Sequence, residues 1–88
     1  MKTKREYILQ HIADQWVVID VNARSVNFNN ILSLNPAGKL LWEKLEVGAE
    51  EQELVSALTE RFGIDRETAE RDVGAFLKKL RGLGCLTD

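Results

Sequence analysis

Cysteine, histidine and proline each occur once in these 88 residues, and each scarcity removes a class of protein. A lone Cys85 closes no internal disulfide, which argues against the small secreted domains that are stapled by paired cysteines. His11 has no second histidine to work with. No His-x-x-His, no Cys-x-x-Cys and no acidic pair with metal-loop spacing is present, so neither a metal centre nor a histidine-led general base is indicated. Cys85 likewise has no histidine beside it, and its expected role is a small apolar plug rather than a nucleophile. No catalytic residue and no cofactor is therefore expected.

Two further shortages bear on location and partners. No apolar run approaches the ~20 residues that span a bilayer. The charged start, Met1 to Glu6, leads into a stretch broken by Gln10, His11 and Asp14 rather than into a signal-type run. The expected compartment is the cytoplasm, with no membrane partner. There is also no basic excess: 12 Lys and Arg stand against 14 Asp and Glu, a net charge of −2. A general nucleic-acid binder draws most of its affinity from neutralising phosphates, so this balance argues against DNA or RNA.

What is present suits one small globular domain over residues 1–88. Hydrophobic residues make up 44% and charged residues 30%, with both signs interspersed. That is not the composition of a disordered chain. The two halves differ in texture. Residues 7–34 are rich in Val, Ile, Tyr, Trp and Phe, and residues 35–84 in Leu, Ala, Glu, Lys and Arg. The first half reads as strands and the second as helices. Tyr7 to Ile12 and Trp16 to Ile19 form a hairpin about a tight turn at Ala13-Asp14. Val21 to Asn27 is polar and mixed, as a loop or an irregular strand edge. From Phe28 to Leu34 a third strand alternates, with Phe28, Asn30, Leu32 and Leu34 on one face and Asn29, Ile31 and Ser33 on the other.

Helix signals are sharper. Asn35 is a good N-cap, and Pro36 is pre-set for the first helical position. Ala37, Leu41 and Leu45 then recur at spacings of four, until Val47-Gly48 ends the helix. A second helix is expected from about Ala49 to Phe62, with Leu54, Leu58 and Phe62 in one stripe and Glu50, Glu51 and Glu53 at the favourable end of the helix dipole. Asp65 caps a third helix, in which Ala69, Val73, Phe76, Leu80 and Leu83 repeat at alternating spacings of four and three, with Leu77 widening that face, before Gly82 and Gly84 close it. Three strands followed by three helices is an α+β layout. It is winged helix-turn-helix-like, a three-stranded antiparallel sheet followed by three helices.

Trp16 and Trp42 are expected in the core rather than on a ligand, since such residues bury large apolar area. The charges of the third helix, Arg66, Arg71, Lys78, Lys79 and Arg81 among Glu67, Glu70 and Asp72, read first as a solvated face. A DNA-reading helix of a winged-helix regulator is the alternative at that place, and a structural interaction module, dimerising through a strand edge, is another.

The order of motifs carries more than any one of them. Leu34-Asn35-Pro36-Ala37-Gly38 is followed by Leu41-Trp42-Glu43-Lys44-Leu45. Glu53-Leu54-Val55 then precedes Leu58 and Phe62, and Asp72-Val73, Phe76-Leu77 and Leu80 lead to Gly84 and Leu86. This succession resembles the PqqD family over nearly the whole chain. It departs from the family at Gly48-Ala49, where relatives often place a threonine cap, and at Cys85, where a leucine is more usual. The resemblance implies a non-catalytic recognition element. Such an element binds the leader segment of a ribosomally made precursor peptide and hands it to a modifying enzyme, often a radical SAM enzyme. It also implies where the leader would lie, as a strand added beside the third strand and packed on the third helix. The residues so marked are Asn29, Asn30, Ile31, Leu32 and Ser33 on the strand, and Ala69, Asp72, Val73, Phe76, Lys79 and Leu80 on the helix. Helical spacing leaves open which of Val73, Phe76 and Leu80 face the core.

Overall fold

A computed structural model describes residues 1–21 and 31–87. In chain order the elements are β1 (Lys2–Thr3), β2 (Tyr7–Ile12), β3 (Gln15–Asp20), β4 (Ile31–Leu34), α1 (Pro36–Val47), α2 (Glu51–Phe62), α3 (Arg66–Leu83) and β5 (Leu86–Thr87). The fold is the expected α+β type. β2, β3 and β4 make an antiparallel sheet in that order, and three helices follow it in the chain.

The hairpin turns where expected. Ala13 and Asp14 both take positive φ, 51° and 63°, the left-handed pair whose twist matches that of the two strands. Tyr7 then pairs with Asp20 and Ile12 with Gln15, and Trp16 pairs with Leu34 and Val18 with Leu32 on the other side of β3. Alternation sends Tyr7, Leu9, Val18, Leu32 and Leu34 to the face that packs on the helices. Ser33 is exposed. Val21 is a turn residue. The rest of the expected loop, together with Phe28, Asn29 and Asn30, lies outside the described residues.

Each helix start is explained by its cap. The Asn35 side chain accepts a hydrogen bond from the Gly38 amide at 2.7 Å, and Pro36 occupies the first turn, where no amide is needed. α2 begins at Glu51 rather than near Ala49. Glu50 is its cap, with the Glu50 amide donating to Glu53 Oε1 at 3.2 Å. Asp65 accepts from the Thr68 amide at 3.1 Å and from the Thr68 hydroxyl at 2.7 Å. These two bonds, the hydroxyl's first, hold its carboxyl below the usual range. At the far end of α3, Gly84 adopts φ 76° and turns its amide back to Leu80 and Arg81. Gly82 lies within the last turn of the helix instead of ending it.

The core holds Trp42, Leu41 and Leu45 of α1, Leu54, Val55 and Leu58 of α2, and Ala69, Val73, Leu77 and Leu80 of α3. Two expected stripes need correction. In α3 the core stripe runs 69, 73, 77, 80, while Phe76 is half-buried and Leu83 is 40% exposed. In α2, Phe62 is 42% exposed and stands outside the stripe of Leu54 and Leu58. Ile64, just past the left-handed turn at Gly63, packs on the core in its place.

One layer was not foreseen at all. β1 pairs with β5, Lys2 with Thr87 and Thr3 with Leu86. The Lys4 amide donates to Cys85 at 2.9 Å, and the Ala49 amide to Met1 at 2.9 Å. The two ends of the described chain are thereby tied to the end of α1.

Candidate functional site

β4 is an edge strand. β3 lies on one side of it, and among the described residues no strand lies on the other. An extended residue sends its amide and carbonyl to one side only, so alternate residues of β4 offer their backbone groups to an incoming chain. A second stripe of α3, next to the core stripe, comes near the end of β4, where Phe76 and Leu34 both approach Gly38. It carries Asp72, Phe76, Lys79 and Leu83, spaced by four, three and four residues, so they share one helix face.

The N-terminal turn of α1 faces that stripe. A concavity of about 340 Å³ is lined there by Asn35, Ala37 and Gly38 of the capped turn and by Asp72, Phe76 and Lys79 of α3, with Leu41 and Leu58 as further apolar wall. Gly38 is the reason the elements approach so closely. A Cβ at that position would stand 3.4 Å from both Leu34 and Phe76, and 3.2 Å from the capping oxygen of Asn35. Glycine here lets the end of β4, the start of α1 and the Phe76 ring meet at one point.

The strand-and-helix groove expected from the family resemblance divides in this structure. Asp72, Phe76 and Lys79 face the concavity. Ala69, Val73 and Leu80 are each 0% exposed and are committed to the core, so no side-chain surface of theirs lines the groove. Leu32 is also buried, against the core cluster. Ile31 enters through its backbone pairing with Ile19, and Ser33 is exposed on β4. Asn29 and Asn30 lie outside the described residues. Sequence reasoning missed Ala37, Gly38 and Ala75, as well as Asn35 as a wall residue. A glycine at the third position of a capped helix, Gly38, was a local hint, but the residues it approaches are not encoded by spacing.

The chemistry of the groove is apolar with a charged rim. Neither Asp72 nor Lys79 takes part in an ion pair among the described residues. Further along α3 the charges do pair with each other, Arg66 with Glu70 at 3.2 Å and Arg71 with Glu67 at 3.7 Å, both one turn apart. That is the solvated face read from the sequence.

The remaining reactive side chains are engaged elsewhere. Cys85 is 1% exposed, and burial, with Asp20 adding to it, pushes its thiol up to about 11. At neutral pH it is a protonated thiol and a poor nucleophile. Beside it a small cavity of about 40 Å³ is lined by Tyr7, Val18, Asp20, Leu32 and Leu83. The Tyr7 hydroxyl donates to the Leu83 carbonyl at 3.2 Å, and its pKa is raised, mainly by burial. His11 stacks on Trp16 with ring centroids 4.5 Å apart, and the Lys39 ammonium lies 4.5 Å from the centroid of the same indole. Trp16 is thus half-buried between neighbours of its own chain rather than in the core. Trp42 is fully buried, and its Nε1 has no hydrogen-bond acceptor among the described residues. Among those residues, no cluster of three His, Cys, Asp or Glu gathers, and no helix is long and apolar enough to cross a membrane.

Comparison with known proteins adds the following. The family model described as "Coenzyme PQQ synthesis protein D (PqqD)" matches residues 6–86. A solved structure described as TbiB1 in complex with the TbiA(beta) leader peptide superimposes with a TM-score of 0.77. It is 27% identical, over 100% of both chains. Another, lasso peptide synthetase B1 complexed with the leader peptide, also gives 0.77 at 21% identity, over 99% of this chain and 96% of that one. At that identity the second likeness shows the fold. No curated protein matches.

Proposed function

The chain belongs to the PqqD family, and on that premise we propose that it is a recognition module for precursor peptides. It binds the leader segment of a ribosomally made peptide as an extended strand on β4, against Phe76 and the rim charges of α3. It then presents the peptide to a modifying enzyme of the radical SAM type, in the cytoplasm, and turns over nothing itself. The observation that carries this is the open edge of β4, whose last residue, Leu34, meets Phe76 over Gly38 at the concavity between α1 and α3. In that geometry backbone hydrogen bonds give affinity and side-chain pockets give register. The two solved neighbours are described with leader peptides bound, which supports the same reading. The absence of chemistry is supported by Cys85, buried and protonated, and by His11, stacked on Trp16. A homodimer through β4 would use the same edge and so compete with the peptide.

The test is an NMR titration of labelled protein with leader peptides encoded beside its gene. Shifts should concentrate at Leu32–Leu34, around Gly38, and at Asp72, Phe76 and Lys79. Shifts confined to β2 or α2 would refute the site. No shift with any such peptide at millimolar concentration would refute the function.

A further inference from the structure

Two adjacencies give the relative direction of β4 and α3. At one end Leu34 and Phe76 both crowd the space over Gly38. At the other, Leu32, two residues earlier in β4, lines the same small cavity as Leu83, seven residues later in α3. β4 therefore runs from the level of Leu83 toward the level of Phe76, and α3 runs the opposite way. A chain added antiparallel to β4, the more favourable pairing, runs in the same direction as α3. It passes Asp72 first, then Phe76, then Lys79.

The spacings suit one strand. Asp72 precedes Phe76 by about 6 Å along the helix axis and Lys79 follows it by about 4.5 Å. Same-face residues of an extended chain recur every ~6.8 Å, within reach of both side chains. Both charges line the concavity with Phe76, and neither takes part in an ion pair among the described residues.

We propose that the groove reads the order of charges in its peptide. It selects a segment with a basic residue, an apolar residue two positions later over Phe76, and an acidic residue two positions after that. The reverse order sets like charges together at both rim positions. This rests on the peptide-recognition reading above and adds a sequence preference to it. Exposed charge pairs are individually weak, so the two together are worth about five- to tenfold in Kd at low salt, and less as salt rises.

Two synthetic decapeptides of identical composition test it. One carries Lys two positions before a central Leu and Glu two positions after it; in the other these two residues are exchanged. A leader encoded beside the gene serves as control. The expected result is about five- to tenfold tighter binding of the Lys-first peptide at low salt. The preference should shrink in 0.5 M salt, and the double variant Asp72→Lys, Lys79→Asp should reverse it. Equal affinities with shifts at β4 and α3, or a preference for the Glu-first peptide, would overturn the charge order and leave peptide recognition standing. So would a leader that binds while neither decapeptide does. Failure of the leader as well would overturn both. Should the double variant not fold, the wild-type preference between the two decapeptides decides alone.

Discussion

α3 has two neighbouring faces, and they differ in chemistry and in what covers them. One carries Ala69, Val73, Leu77 and Leu80, all within the core cluster. The other carries Asp72, Phe76 and Lys79, which line a concavity. An apolar side chain on the first face is already covered by α1, α2 and the sheet. On the second face Phe76 is half-buried, packed in part on the core and in part lining the concavity. The same helix thus contributes both to the core and to the wall of a concavity, and a few residues of rotation separate the two faces.

The largest effect expected from this division is on stability. Leu80→Ala removes a fully buried side chain from a core with little room to collapse, and should cost about 3 kcal/mol. In a domain of this size that lowers Tm by roughly 15 °C. Phe76→Ala, half-buried, should cost about half as much yet weaken leader binding by at least tenfold, as truncation of an aromatic anchor does. Thermal melts and titrations of the two variants give the contrast. A Leu80→Ala protein that melts within about 3 °C of wild type, or a Phe76→Ala protein that binds normally, would break the assignment of the two faces.

Much of this was legible in the sequence where a residue has a local duty. Asn35-Pro36 gave the start of α1, Asp65 the start of α3, and Ala13-Asp14 the hairpin turn, because caps and turns are settled by neighbours a few positions away. The phase of α3 was not legible. Residues 69, 73, 76, 80, 83 and residues 69, 73, 77, 80 both satisfy a 3.6-residue period, and only the elements packed opposite choose between them. Phe62 was misplaced for a similar reason. It continues the period of Leu54 and Leu58, but the chain turns at Gly63 and Ile64 takes the core position. β1 and β5 left no trace, since two-residue strands have no period to read and pair across the length of the chain. Of the residues lining the concavity, Asp72, Phe76 and Lys79 are among those the family resemblance marked. The contribution of the α1 turn depended on a close approach that no spacing encodes.

A smaller effect concerns the wall that α1 lends to the groove. Asn35→Ala removes the acceptor of the Gly38 amide and should cost about 1 kcal/mol, read as a lower denaturation midpoint with unchanged m-value. Because Gly38 is where Leu34 and Phe76 meet, the loosened turn should also weaken leader binding by a few fold. An unchanged midpoint would mean that the cap does not hold the turn, and the wall would then owe its position to packing alone.

The smallest effect tests how both faces of α3 keep their common starting point. Asp65 caps the helix through two hydrogen bonds from Thr68, and these hold its carboxyl below the usual carboxylate range. A carboxyl whose folded pKa is depressed contributes stability that is fully present above its unfolded pKa and is lost as pH falls through the folded one. The window therefore lies below about pH 4. Asp65→Asn retains an oxygen that can accept from the Thr68 amide but cannot titrate. The stability difference between wild type and Asp65→Asn should be constant from pH 7 to 5 and shrink as pH falls below 4. Urea denaturation of both proteins across that range measures it. A difference that stays constant down to pH 2.5 would show that the charge of the cap contributes nothing, and that a neutral acceptor suffices to set the first turn of α3 and the register of its two faces.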